Sequence, residues 1–308
     1  MKFISFKTKT NKNSWGVLAP NNKILDLSNL KPDLLQFISD SQWPQKIKDI
    51  EALYKNADID PTQVTLLSPL PRPASLRDGY AFRQHVEASR KNRGLAMIPE
   101  FEHFPVFYYG NHFAVTGPGD VPMRDKVLDR LDFELEAAIV IGKEGRNISA
   151  KEADDYIFGY MIMNDWSARG WWQEEFKMSM GPAKAKDFAT SLGPWLVTRD
   201  ELASRASRGP NGEKINLKMK SFINGKQFSE GNVADMHWTF AQIIERASYG
   251  VTLYPGEVIG SGTCGTGCYF EVNGFEKEGK PWLKVSDEVV LEIEMLGRLE
   301  NRVVKENV

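Results

Sequence analysis

The stretch DFELEAAIVIG, residues 132–142, alternates three acids with apolar residues and then turns fully apolar. Side chains two apart on a strand share a face, so Asp132, Glu134 and Glu136 point one way and Phe133, Leu135 and Ala137 the other. The same spacing recurs at Glu292 and Glu294 in LEIEML, where strict alternation on both sides marks a half-exposed strand. Glu-x-Glu alone is therefore more often an exposed face than a site. The first stretch differs in its continuation, because AAIVIG reads as a strand buried on both faces. Carboxylates gathered where a strand enters the core repel one another, and burial worsens the repulsion. A divalent cation removes the conflict, since hard cations take several carboxylate oxygens. Asp165 ends another apolar run, IFGYMIMND, and reads either as a turn cap or as a further ligand. Glu134, Glu136 and Asp165 together make a candidate site for Mg2+, Mn2+ or Ca2+. A zinc pattern is missing: four histidines are scattered, and Cys264 and Cys268 have no partner pair.

GSGTCG, residues 260–265, satisfies G-x-G-x-x-G after a strand-like GEVI. The dinucleotide fingerprint also needs a following helix, whereas TGCYFEVNG reads as β-like, so the nucleotide reading is rejected. Two readings stay open: a tight turn, or a loop offering backbone N–H groups and the Thr263 hydroxyl to a small carboxylate. Nothing identifies a base for Cys264 as a nucleophile.

These residues sit in a chain of 308 residues with a formal net charge of −2, which gives no electrostatic reason to expect nucleic acid or an anionic membrane. The N-terminus lacks the apolar segment of a signal peptide, and no apolar run is long enough to span a bilayer. With two cysteines and no disulfide framework, a cytoplasmic location is expected. Short β-type runs open the chain, followed by helices at DLLQFI and QKIKDIEALYKNA. SPLPRP (68–73) then reads as a connector, dividing a small N-terminal α+β domain (1–68) from a second unit (69–308). In that unit Ala81–Arg93 is predicted helical, and Ser149 with Glu152 forms a capping-box pattern. Asp235 is placed to cap DMHWTFAQIIERASYG, and Asn224-Gly225 suits a hairpin turn. DEVVLEIEMLGRLENRV reads as one long terminal strand. Numerous strands and few, irregularly placed helices predict a mostly β, α+β fold.

Seven stretches in order resemble the fumarylacetoacetate hydrolase superfamily over roughly residues 69–308: DGYAFRQH (78–85), PVFYYG (105–110), LDFELE (131–136), MNDWSAR (163–169), KDF (186–188), GPW (193–195) and GSGT (260–263). The resemblance implies a mixed β-sandwich roll of that family's C-terminal type, a divalent cation, a homodimer, and a small 2-oxo or 2,4-diketo acid as substrate. Carried onto matching positions, it implies Glu134, Glu136, Asp165 and Asp78 as metal ligands. His85 would be the general base, oriented by Glu271, with Arg169 and Lys186 stabilising oxyanion charge and Tyr80, Tyr108 and Thr263 holding substrate. The reaction so implied is C–C hydrolysis of a 2,4-diketo acid, acylpyruvate-like or fumarylacetoacetate-like, through a metal-stabilised enolate and a His-activated water.

The chain departs from the family pattern in places. Where the family continues MNDWSAR with Asp-Ile-Gln, this chain has GWWQ, putting Trp172 at the glutamine position and Gln173 one further on. Phe176 stands at a substrate-binding tyrosine position. Ala88 stands three after His85 where smaller bacterial members have glutamate, leaving Glu271 to orient the base. The N-terminal region is short, which places an acylpyruvate-like substrate ahead of fumarylacetoacetate. The alternative is a lyase or isomerase on the same scaffold, an oxaloacetate decarboxylase or a 2-oxo-alkenoate hydratase. A non-catalytic binding protein ranks third.

Overall fold

The computed structural model describes residues 1–276 and 278–306. Lys277, Asn307 and Val308, which fall in the 69–308 unit, lie outside the described residues. The fold is mixed α+β and sheet-dominated, built on one eleven-stranded sheet and one five-stranded sheet with short helices around them.

The middle of the large sheet is the antiparallel series Thr190–Thr198, Ile157–Asp165 and Leu135–Ile141. The last two are buried along their whole length, as their unbroken apolar runs require. Alternation sends their side chains into two cores. Ala138, Val140, Met161 and Met163 pack with Phe3, Trp15 and Phe37 of the N-terminal segment. Ala137, Ile139, Ile141 and Ile162 pack instead with Val289, Leu291, Ile293 and Leu299 of the five-stranded sheet. Lys2–Lys7 pairs with Thr190–Thr198, so the N-terminal strands continue the large sheet.

On the other side, Leu135–Ile141 pairs with Val258–Gly260, which runs parallel to Leu76–Gly79. The register aligns Gly260 with both Ala138 and Asp78. A Cβ at Gly260 would lie 2.4 Å from Asp78 Oδ1 and 2.8 Å from a methyl of Met163, so only glycine lets Asp78 stand here. Among the described residues no helix is long and apolar enough to cross a membrane.

Several local expectations hold. The hairpin turn at Asn224-Gly225 has both residues at positive φ, 51° and 75°. The predicted 81–93 helix is observed as Arg83–Asn92. Others differ for physical reasons. Ser149 Oγ spends its hydrogen bond on the Glu152 carboxylate (2.9 Å) rather than on the backbone, and the helix it precedes covers only Ala150–Ala153. The helix expected from Asp235 starts at Phe240, because Thr239 and Gln242 form a complete capping box. The terminal strand is two strands, Glu288–Ile293 and Gly297–Lys305, folded back at Met295 (φ 64°) and Gly297 (φ 98°). Glu292 and Glu294 do sit on its solvent side, paired with Arg298 and Arg205.

Arg77 and Glu257 tie the strand carrying Asp78 to its neighbour. Both are buried and ion-paired, and Glu257 also accepts from Ser75 Oγ (2.6 Å) and the Tyr254 N–H (2.7 Å). Glu257→Ala leaves the guanidinium buried without its counter-charge. It should cost ~3–5 kcal/mol of stability, read as a lower urea midpoint; an unchanged midpoint would contradict this.

Candidate metal centre and active-site cavity

Four carboxylates from three separate chain segments meet at the sheet's centre. Ligand oxygens of Asp78, Glu134, Glu136 and Asp165 lie within 4.8 Å of one another, and all four residues are buried. Glu136 is on Leu135–Ile141, Asp165 ends Ile157–Asp165 and Asp78 is on Leu76–Gly79. Glu134 stands just outside a strand. The expected continuous strand breaks at Phe133 and Glu134, whose N–H donates to Asn164 Oδ1 at 3.0 Å.

Asp132, the third acid of the opening stretch, does other work. Its carboxylate accepts the N–H groups of Tyr269 (2.8 Å) and Phe270 (2.9 Å) and takes Arg169 Nε at 2.9 Å. This distant cap explains why the β-like TGCYFEVNG forms a short helix, Tyr269–Asn273. That helix carries Glu271.

The charges around the four acids do not balance. Lys186 Nζ donates to Glu134 Oε2 and Asp165 Oδ2, both at 2.5 Å, and Arg169 Nη2 donates to Glu134 Oε1 at 2.6 Å. Glu134 is pushed up by burial, but the cations of Lys186 and Arg169 overcome this and hold it below the usual carboxylate range. Asp78 and Glu136 have no such partner. They share the Gly262 N–H at 3.0 and 3.1 Å, and Thr263 Oγ1 lies 3.5 Å from Glu136 Oε1. Burial, with Asp165 nearby, pushes Asp78 up to about 7. Burial and Asp78 push Glu136 well above its ordinary value. Burial likewise raises Asp165 to about 6 despite Lys186, and its Oδ1 is enclosed with no hydrogen-bond partner. Excess buried negative charge, all-oxygen donors and an unused carboxylate oxygen fit a hard divalent cation. The cluster is a divalent-cation site.

A cavity of about 320 Å3 opens onto this cluster. Asp78, Tyr80, His85, Tyr108, Glu134, Lys186 and Thr263 all line it, so most of the expected site residues share one space. His85 Nδ1 lies 2.7 Å from Glu271 Oε1, and Thr266 N–H fixes the other carboxylate oxygen at 2.9 Å. With the Nδ1 proton directed at Glu271, Nε2 carries the ring's lone pair, and the Ser89 hydroxyl lies 3.4 Å from it. Tyr108 donates its hydroxyl to Asp165 Oδ2 at 2.5 Å. Tyr80 packs edge-on against the His85 ring, centroids 5.6 Å apart.

Arg169 does not line the cavity. Its guanidinium is enclosed between Trp172 (4.7 Å) and Phe270 (5.0 Å) and bound to Asp132 and Glu134. Trp172 and Phe176 line the wall, while Gln173 turns away to accept from Arg130 at 2.8 Å. Arg93 was not anticipated. It lines the cavity with its charge lying over Phe176 at 4.7 Å, and no carboxylate among the described residues pairs with it. The signal was present: His85, Ser89 and Arg93 recur every four residues on one helical face.

The comparisons with known proteins agree with this architecture. The family described as fumarylacetoacetate (FAA) hydrolase, C-terminal, matches residues 75–304. The oxaloacetate tautomerase YisK of Bacillus subtilis (strain 168) is 32% identical over 247 residues, covering 79% of this chain and 74% of that protein. The mitochondrial oxaloacetate tautomerase Fahd2a of Rattus norvegicus is 29% identical over 287 residues, 91% of this chain and 84% of that one. The fold is shared with maleylpyruvate hydrolase from Sphingobium sp. SYK-6, solved in complex with manganese (II) ion and pyruvate. That structure has a TM-score of 0.74 and 23% identity, and the match covers 100% of both chains. The carboxylates gathered on one sheet are thus set in a scaffold that many relatives share, and the chain belongs to the fumarylacetoacetate hydrolase superfamily of enzymes.

Proposed function

We propose that the protein moves a proton on a 2-oxo dicarboxylic acid of the oxaloacetate type, interconverting its keto and enol forms. The observation carrying this reading is a paired imidazole base opening onto the cavity that also holds the cation site and two cationic side chains, Lys186 and Arg93. The oxaloacetate tautomerases among the relatives support it.

When bound, the cation supplies Lewis-acid polarisation of the substrate carbonyl and its neighbouring carboxylate. His85 Nε2 takes the proton from the carbon next to the carbonyl, and Glu271 steadies the charged imidazole so formed. The same proton returns to oxygen, so nothing is consumed. Thr263 and Tyr80 face the bound acid. Lys186, held by Glu134 and Asp165, keeps positive charge beside the reacting end. Arg93, stacked on Phe176, receives the distal carboxylate. Arg169 acts at one remove, fixing Glu134.

Hydrolysis of a C–C bond in a 2,4-diketo acid is the second reading. It is favoured by the same dyad, since a base poised for carbon can also take a proton from water. Against it stands the wall around the expected oxyanion: Trp172 replaces the glutamine donor, and Gln173 is engaged elsewhere. A homodimer remains part of the proposal, as does the 1–68/69–308 division.

Four outcomes test this. Enol-oxaloacetate should lose its ultraviolet absorbance faster with protein and Mg2+ or Mn2+, and chelator should abolish the gain; chelator-insensitive turnover would refute the metal requirement. Asp165→Asn should weaken Mn2+ binding at least ~10-fold by calorimetry, in line with the loss of a direct ligand. His85→Ala should cut kcat by ~10²–10⁴-fold, while Arg93→Ala should raise KM for oxaloacetate by roughly 10- to 100-fold, the loss of a charge-assisted hydrogen bond. If His85→Ala keeps full tautomerase activity, the base is misassigned. If diketo-acid cleavage outpaces tautomerisation in the wild type, the second reading replaces the first.

A further inference from the structure

Cys268 has no part in the chemistry above, yet it sits beside the base. One ring nitrogen of His85, the Cys268 sulfur and one Glu271 oxygen lie within 4.8 Å of one another. His85 is on the helix Arg83–Asn92, and Cys268 and Glu271 stand at the start of the helix Tyr269–Asn273. Asn92 Nδ2 locks the two helices together by donating to the carbonyls of Phe270 (2.7 Å) and Glu271 (3.0 Å). Thr266 N–H holds Glu271 Oε2, which leaves Oε1 turned toward His85.

This donor set differs in kind from the acidic cluster. Four carboxylates suit a hard cation, whereas nitrogen, sulfur and oxygen together suit a borderline-soft one. Three protein donors with a fourth direction left open is also the arrangement of reactive zinc sites. Of the three, His85 lines the cavity, and Cys268 is fully buried behind it.

We propose that His85, Cys268 and Glu271 form a second cation site, selective for Zn2+ or Co2+ over Mg2+, and that filling it silences the enzyme. The binding half stands on the geometry alone; the silencing half rests on His85 being the base. On binding, the Cys268 S–H bond breaks and its proton goes to solvent, while the sulfur bonds the cation. Glu271 Oε1 and His85 Nδ1 add their lone pairs as the Nδ1 proton shifts to Nε2, and the His85–Glu271 hydrogen bond gives way. No oxidation occurs, and one proton is released per cation bound. The imidazole lone pair is then unavailable to substrate. Mg2+ does not compete, because it prefers oxygen donors.

The test uses the full chain with its acidic cluster saturated by Mg2+, titrated with Co2+. The expected result is a thiolate-to-cobalt charge-transfer band in the near ultraviolet, saturating at one equivalent with one proton released. Cys268→Ser should lose the band, while Cys264→Ser and Asp165→Asn should keep it. Glu271→Gln, which retains the thiol, should bind Co2+ at least ~10-fold more weakly, and it serves if Cys268→Ser fails to fold. No thiolate band in the wild type, a band surviving in Cys268→Ser, or undiminished affinity in Glu271→Gln would each overturn the site. Zn2+ at constant excess Mg2+ should inhibit turnover, with the inhibition constant at least ~10-fold higher in Cys268→Ser. A normal band with turnover untouched by Zn2+ would overturn the silencing half and the role of His85 together, leaving the binding site standing.

Discussion

Four buried carboxylates are packed within reach of a single ion, with one ammonium and one guanidinium in contact with them. Like charges this close in a dry setting oppose folding unless protons or a cation offset them. Lys186 and Arg169 settle around Glu134 and Asp165, leaving Asp78 and Glu136 with the one Gly262 N–H that they share and the Thr263 hydroxyl. This imbalance is the constraint from which the rest follows. A bound divalent cation would satisfy it.

The fold is arranged to hold this conflict in place. Asp78, Glu136 and Asp165 are on buried strands and Glu134 adjoins one, so their backbones cannot relax away from one another. Gly260 leaves the room that Asp78 occupies, and Gly262, at φ 78°, turns its N–H between Asp78 and Glu136. A side chain at either glycine would collide with the neighbouring strand or carboxylate. Asp132 extends the same network outward: one carboxylate anchors Arg169 beneath the cluster and also caps the helix that delivers Glu271 to His85. The acidic cluster and the His85–Glu271 pair are therefore mechanically linked.

Much of this was legible in the sequence, for reasons that can be named. The switch from alternation to a two-faced apolar run at Leu135–Ile141 marked Glu134 and Glu136 as entering a core, while Glu292 and Glu294, with alternation throughout, stayed on the surface. Spacing alone could not bring Asp78 or Glu271 to the site; that required the resemblance, because strand pairing far along the chain does the work. The misread elements share a cause. The helix at Tyr269–Asn273 is nucleated by Asp132, 137 residues away from Tyr269. The terminal hairpin turns at Met295 and Gly297, where a single glycine is the only local signal in an otherwise alternating run. Arg93 was readable from its four-residue spacing with His85 and Ser89, but no carboxylate among the described residues pairs with it to mark it.

Because the buried charge is the root of the account, the direct test is where a cation goes. Anomalous diffraction from crystals soaked in Mn2+ should show one strong peak per chain bonded to oxygens of Asp78, Glu134, Glu136 and Asp165. A fully soaked crystal with no manganese there, and Lys186 still clasped between Glu134 and Asp165, would contradict the account.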